Sequence, residues 1–286
     1  MHWLSASWLS TKAYDMANKL TAALARFLAG VFIAVRTYGW IFVALGVSVL
    51  AISAITEREA TRIVAVQPEV LPLADNANLV EAEELLELLQ ASFTKPLSEL
   101  SLSDIDIERV EEVLEAQAFV GDAEAYVDAD MVLHITAEQR VPLLRVIADN
   151  GQNYYLDLSG VRLPLSTNHT VRVPVVTGKV IAWSDDYRET PDHPLGQLVE
   201  LAQFLRQDAF LNALIEQIDV TASGELVLAP KVGDQVIYLG RYDPAETYRR
   251  LDRLKIFYRE GLPYEGWRKY RSFDLRYADQ VVAKKV

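Results

Sequence analysis

The chain has 286 residues, with 28 basic and 40 acidic side chains, a formal net charge of −12 and no cysteine. That balance speaks against binding nucleic acid or an anionic lipid surface. The missing cysteine removes disulfides, thiolate metal sites and thiol nucleophiles from consideration.

The first predicted element is a membrane helix. Thr37 to Ile55, TYGWIFVALGVSVLAISAI, carries no charged side chain. At a rise of about 1.5 Å per residue it covers roughly 28 Å, close to the hydrocarbon thickness of a bilayer. Such a helix satisfies its own backbone hydrogen bonds in lipid. Tyr38 and Trp40 sit at one end, where amphipathic rings favour the headgroup level. Arg36 and the cluster Glu57, Arg58, Glu59 mark abrupt polar boundaries.

Before this span lie Lys12, Lys19, Arg26 and Arg36 against Asp15, while Arg58 and Arg62 follow it among Glu57 and Glu59. The positive-inside bias therefore favours a cytoplasmic N-terminus. A cleaved signal peptide would need an N-region 36 residues long, so an uncleaved signal anchor is the better reading. Ala22 to Val35 is also largely apolar, but Arg26 and Arg36 leave nine uncharged residues between them, too few to span. With Trp3, Leu4, Trp8 and Leu9 it reads as an interfacial amphipathic lead-in. From Glu57 onward there are 24 basic residues (28 − 4) and 39 acidic ones (40 − 1), a net of −15 for the exterior part.

The exterior chain opens with a strand at Thr61 to Val66, broken by Pro68 and Pro72. A helix follows, with Asn78 as N-cap and Leu85, Leu86, Leu88 and Leu89 supplying its buried face. Ser103 to Asp106 opens a second helix, with Ile107, Val110, Val113 and Leu114 at helical spacing. Two alternating runs, Ala123 to Val127 and Met131 to Ile135, flank a turn with Asp128 and Asp130. This order makes a small α+β module whose sheet lies beneath two helices.

From Arg140 strands dominate: VPLLRVIAD, the Asn150-Gly151 hairpin turn, NYYLDL, VRLPLS and VRVPVVTG. Helix returns after Pro194 and continues through Phe210 to Ile218. IDVTASGELVLAP and QVIYLG read as strands about a Ser223-Gly224 turn. Asp243-Pro244-Ala245-Glu246 starts a helix with its own cap, running to about Glu260 and stopping at Gly261. A last strand runs from about Lys269 to Lys285. The fold class is α+β throughout: a single N-terminal transmembrane helix, a small module and a larger mixed β domain with flanking helices.

No catalytic constellation appears: no G-x-S-x-G, no phosphate-cradling G-x-x-x-x-G-K-[ST] and no H-E-x-x-H. His2, His134, His169 and His193 are scattered. A zinc site from His134, His169 and a carboxylate is the alternative to surface histidines, and the latter is the better reading. Thr177-Gly178-Lys179 ends a strand, Asp185-Asp186 and Asp128-x-Asp130 read as solvated turns, and Asn168-His169-Thr170 fits the glycosylation pattern. No cofactor, metal, nucleic acid or small-molecule substrate is expected. The chain reads as a binding protein rather than an enzyme.

In the second half the chain resembles the FtsQ/DivIB family of bacterial cell-division proteins. The resemblance rests on Val173-Pro174-Val175-Val176-Thr177-Gly178; on Gly224 to Leu228 with Val236 to Gly240; on the Leu-rich helix around Arg250 to Leu254; and on Phe273-Asp274-Leu275-Arg276-Tyr277 with Gln280-Val281-Val282. It implies a cytoplasmic tail at 1–36, a membrane helix at 37–56 in the inner membrane, a POTRA-like domain (polypeptide-transport-associated) at 57–138 and a periplasmic β domain at 139–286. It also implies a divisome scaffold at the division septum, binding FtsB/DivIC-like and FtsL-like bitopic proteins. Carried over by motif, the partner-binding residues are Arg276, Tyr277, Gln280 and Val282 on the terminal strand. An edge strand is a ready template for strand addition. A POTRA-type assembly or transport module outside division is the alternative.

Overall fold

The computed structural model describes residues 61–286 except Asp75 and, nearer the N-terminus, Met16, Thr21, Leu24, Arg26, residues 28–30, Phe32, 36–41 and 43–53. The expected lead-in at Trp3 and Trp8 and the polar boundary at Glu57 to Glu59 lie outside the described residues. Helix α1, Arg36–Ser53, is the one helix among the described residues long and apolar enough to cross a membrane, and none of it is buried. Leu45, Val47, Val49, Leu50 and Ile52 all face outward, as do Tyr38 and Trp40. A helix apolar on every side has no face that prefers water.

A second body, residues 63–100 and 105–286, holds two sheets. The smaller has β1 (Ala65–Leu71), β3 (Val132–Gln139) and β2 (Val120–Val127) in that order, with β1 parallel and β2 antiparallel to β3. Helices α2 (Ala82–Ser92) and α3 (Ile107–Glu115) bury Leu85, Leu89, Val110 and Leu114 with Leu133, Ile135 and Ala137 of β3. Asp106 caps α3 by accepting from the Arg109 N–H at 3.1 Å. Glu111 on α3 accepts the Ala125 N–H at 2.8 Å, so the helix also covers part of β2's backbone.

Two expectations here are corrected. The first strand lies at Ala65–Leu71 rather than Thr61 to Val66, with Pro68 inside it. The proline fits because β1 is an edge strand and one flank needs no N–H. Asn78 does not cap α2; Glu81 precedes the helix without a side-chain cap, and the Asn78 Oδ1 accepts instead from Gln139.

The larger sheet contains nine strands in the order β12-β11-β10-β9-β8-β7-β4-β5-β6. In chain order these are β4 (Pro142–Ala148), β5 (Asn153–Asp157), β6 (Arg162–Leu163), β7 (Val175–Gly178), β8 (Ile215–Val220), β9 (Leu226–Pro230), β10 (Val236–Gly240), β11 (Tyr270–Asp274) and β12 (Val282–Lys285). Pairings β4/β7, β7/β8 and β10/β11 are parallel and the others antiparallel. VRLPLS and VRVPVVTG thus yield only two and four residues of strand. The core gathers Val146, Leu156, Val176, Ile218, Leu228, Ile237 and Phe273 of the sheet. Leu195, Leu198, Leu201 and Leu205 come from α4 (Pro194–Gln207), Leu211 from α5 (Ala209–Leu214), and Leu251 and Leu254 from α6 (Pro244–Ile256).

The long helix expected through Ile218 is two helices and a strand. Asp208 takes extended angles (φ −99°, ψ 109°), accepts from the N–H groups of Phe210 and Leu211, and pairs with Lys255 at 2.6 Å. A carboxylate capping a new helix ends the old one. At the other end, α6 begins as expected, with the Asp243 carboxylate accepting the Glu246 N–H at 2.9 Å. It does not stop at Gly261, which keeps helical angles, and the Phe257 ring packs where a Cβ would be, 2.9 Å away. A wider turn, Phe257–Gly261, leads into α7 (Leu262–Glu265), and the chain turns at Gly266 with φ 94°.

Candidate partner-docking edge

The single terminal strand expected from Lys269 to Lys285 is a hairpin. The reversal occurs within residues 275–281, where Asp279 adopts φ 54°. The Leu275 N–H still donates to Tyr238 O at 2.9 Å, prolonging the β10/β11 pairing by one residue. Arg253 on α6 then draws the chain away from the sheet, donating to Leu275 O and Tyr277 O at 3.4 Å each. The return strand β12 pairs Ala283 with Phe273 and Val282 with Asp274. It ends the sheet and has one neighbour, β11. Among the described residues, no strand lies beside its second line of backbone N–H and C=O groups.

The predicted site residues come together at one end of this hairpin, but they do not share a strand. Val282 opens β12 and is 40% exposed. Arg276, Tyr277 and Gln280 lie in the connection, each exposed. Tyr277 presents its ring to solvent, 52% exposed. Arg276 is already engaged: its guanidinium grips Asp274 with two bonds of 3.0 and 2.7 Å, reaches Glu225 at 3.5 Å and lies over the Tyr238 ring at 5.3 Å. The two charges reinforce each other, holding the Asp274 carboxyl below its usual range and the guanidinium above its own. This leaves Arg276 organising the hairpin's end as much as facing outward.

Gly240 lets that happen. It ends β10 with φ 90°, and a Cβ there would come within 3.0 Å of Arg276 Cγ and 3.1 Å of an Arg250 guanidinium nitrogen. Arg250 uses the space to donate to Leu239 O at 2.9 Å.

The sequence did not single out the cleft beside the edge. Arg253, Ile256, Phe257 and Glu260 on one side and Asp279 to Val281 on the other enclose about 410 Å³. Ile256 is 54% exposed at the end of α6. A signal was present: the spacing of Leu251, Leu254 and Tyr258 fixes the inward face, which turns Ile256 out. Val281, just before β12, and Ala283 within it pack on the core, while Val282 and Lys284 face outward.

Elsewhere the titratable groups serve structure. His134 lies 2.8 Å from the Asp128 carboxylate and stacks on Tyr126 at 4.9 Å. No group of three His, Asp or Glu side chains suited to a metal occurs among the described residues. Ser159, His193, Glu200 and Tyr242 help line a cleft of about 690 Å³. His193 Nδ1 accepts the Leu195 N–H as a helix cap, and Glu200 accepts from the Tyr242 hydroxyl. Asn168 of the glycosylation pattern donates its amide to Glu84 at 2.9 Å.

The hairpin, its supporting helix and the sheet they close fall within a stretch that matches known proteins. The family model described as FtsQ/DivIB, C-terminal related, covers residues 141–284, half of the chain. A protein of Rhodothermus marinus named "Cell division protein FtsQ" is 30% identical over 157 residues, 53% of this chain and 55% of that protein. The match therefore spans about half the length of either chain. On the family match, the chain belongs to the FtsQ/DivIB, C-terminal related family.

Proposed function

We propose that this chain is a single-pass membrane protein of bacterial cell division that works by binding other division proteins and not by catalysis. The observation that carries this reading is β12, a terminal strand with one neighbour beside an exposed aromatic ring and an open cleft. A bitopic partner of the FtsB/DivIC type adds a strand along β12, with main-chain hydrogen bonds giving affinity and side chains giving choice. Tyr277, Gln280 and Val282 contact it directly; Arg276 does so from its clasp on Asp274. An FtsL-like protein joins through that partner, and the assembly links early and late division proteins to septal wall synthesis.

Helix α1 anchors the chain in the inner membrane, with the N-terminus in the cytoplasm on the charge bias of its flanks and the large sheet outside. The three-stranded sheet covered by α2 and α3 supports a POTRA-like domain over 57–138, followed by the β domain over 139–286.

The test is a binding titration of the full chain in detergent against the exterior segment of an FtsB/DivIC-type protein. Tyr277→Ala and Val282→Glu should each weaken binding about tenfold or more, the scale of an interface hot spot. Both side chains are exposed, so the thermal melt should not move. Unchanged affinity in both variants would overturn the edge as the docking site. Capture of outer-membrane barrel proteins in place of division proteins would overturn the role.

A further inference from the structure

Strands β3 and β4 belong to different sheets and are joined by two residues, Arg140 and Val141. The joint is pinned on both sides. The Arg140 N–H donates to Phe119 O at 2.8 Å in the small module, and its guanidinium donates to Asp157 at 3.3 Å in the large one. Asp157 is buried and also accepts from the N–H groups of Ser159 and Val161. The Leu158 N–H donates to Val141 O at 3.2 Å. A single short joint still turns about its own φ and ψ. A second attachment at another point removes that freedom.

The second attachment is the backbone of one residue, Leu79, through its own N–H and C=O. Its N–H donates to Gln139 Oε1 at 2.6 Å, at the end of β3. Its C=O accepts from Ser166 Oγ at 2.6 Å and from Asn168 Nδ2 at 3.5 Å, both in the segment between β6 and β7 of the large sheet. Asn168 also donates to Glu84 on α2 at 2.9 Å. Gln139 is 4% exposed, and its Nε2 donates to Leu71 O at 2.8 Å and Asn78 Oδ1 at 3.2 Å, holding the 71–79 loop against β3. Ser166 Oγ in turn accepts from the Asn168 N–H at 3.1 Å, which sets the loop's shape. Leu79 and Val80 are themselves buried.

We infer that Leu79, Ser166 and Asn168 form a polar latch that fixes the small module on the large one and, when opened, leaves the two free to turn about Arg140-Val141. The small module precedes the large one in the chain. This inference does not depend on what binds β12.

The chain has no cysteine, so paired spin labels can be introduced without removing native thiols. Glu87→Cys on α2 and Asp234→Cys on the β9/β10 turn are both exposed. Pulsed electron–electron resonance on the full chain in nanodiscs should give one narrow distance. Adding Ser166→Ala and Asn168→Ala should at least double the width of the distribution without lowering the melt of the large module. Asn168→Ser alone, which keeps a short polar side chain, should broaden it less, so a poorly folded double variant would not leave the question open. A width unchanged in all variants, or a broad distribution before any latch residue is altered, would overturn the latch.

Discussion

The seat of the docking hairpin is Phe273, and replacing it tests whether core packing holds the edge in place. Its ring is fully buried, with centroids 5.1 Å from Phe257, 5.6 Å from Tyr258 and 6.0 Å from Tyr270. Tyr258 is buried as well, its hydroxyl without a hydrogen-bond partner among the described residues and its pKa pushed up to about 12 by desolvation. Phe→Ala in a packed core costs about 3–5 kcal/mol. Aromatic pairs in edge-to-face geometry add about 0.5–1.5 kcal/mol beyond area burial, so Phe273→Ala belongs at the upper end of that range. A domain's whole stability is about 5–15 kcal/mol, so the variant should be barely folded. Trp267 sits edge-on to Tyr258 at 5.8 Å and reports the cluster by fluorescence during urea unfolding. Phe273→Leu should lose clearly less. A loss below about 1 kcal/mol for Phe273→Ala would refute the view that this cluster seats β11 and β12.

Other perturbations follow from the same geometry. Gly178→Ala should lower the melting temperature well beyond Gly151→Ala: both have φ +85°, but only at Gly178 would the Cβ meet an atom, Val220 O at 2.4 Å. Equal losses would show that backbone conformation alone matters there. Because Arg276 depresses the folded pKa of Asp274, their pairing stabilises the hairpin fully above the usual carboxylate value of 3.8 and is lost as pH falls through the lower folded value. Asp274→Asn should therefore flatten the acid limb of a melt-versus-pH series, and an unchanged limb would refute it. Replacing both Leu45 and Val49 by Arg in α1 should cost about 2.5–3.5 kcal/mol each on insertion, moving the chain out of the membrane fraction; unaltered fractionation would count against a spanning α1.

Much of this was legible because local chemistry and tertiary outcome agree. Asp243-Pro244-Ala245-Glu246 names a helix start, and the helix starts there. The Asn150-Gly151 and Ser223-Gly224 turns join strands as their dipeptides require. The failures share a cause: side chains finding distant partners. Asn78 has the chemistry of a cap, yet Gln139, distant in sequence, claims its oxygen. Gly261 has the chemistry of a stop, yet the Phe257 ring packs where a side chain would be and the helix runs on. The long apolar run after Pro194 conceals a break that depends on Asp208 meeting Lys255 of another helix. At the edge, the residue types suggested one strand where there are two. The reversal at 275–281 contains no Gly or Pro and is held by Arg253 from α6.

Amide hydrogen exchange across β12 probes the open margin directly. Adding the exterior segment of an FtsB/DivIC-type protein to the full chain should slow exchange at Val282 to Lys285 while β5 and β6, at the far margin, keep their rates. Protection that appears elsewhere, with β12 exchanging as fast as before, would contradict strand addition at this edge.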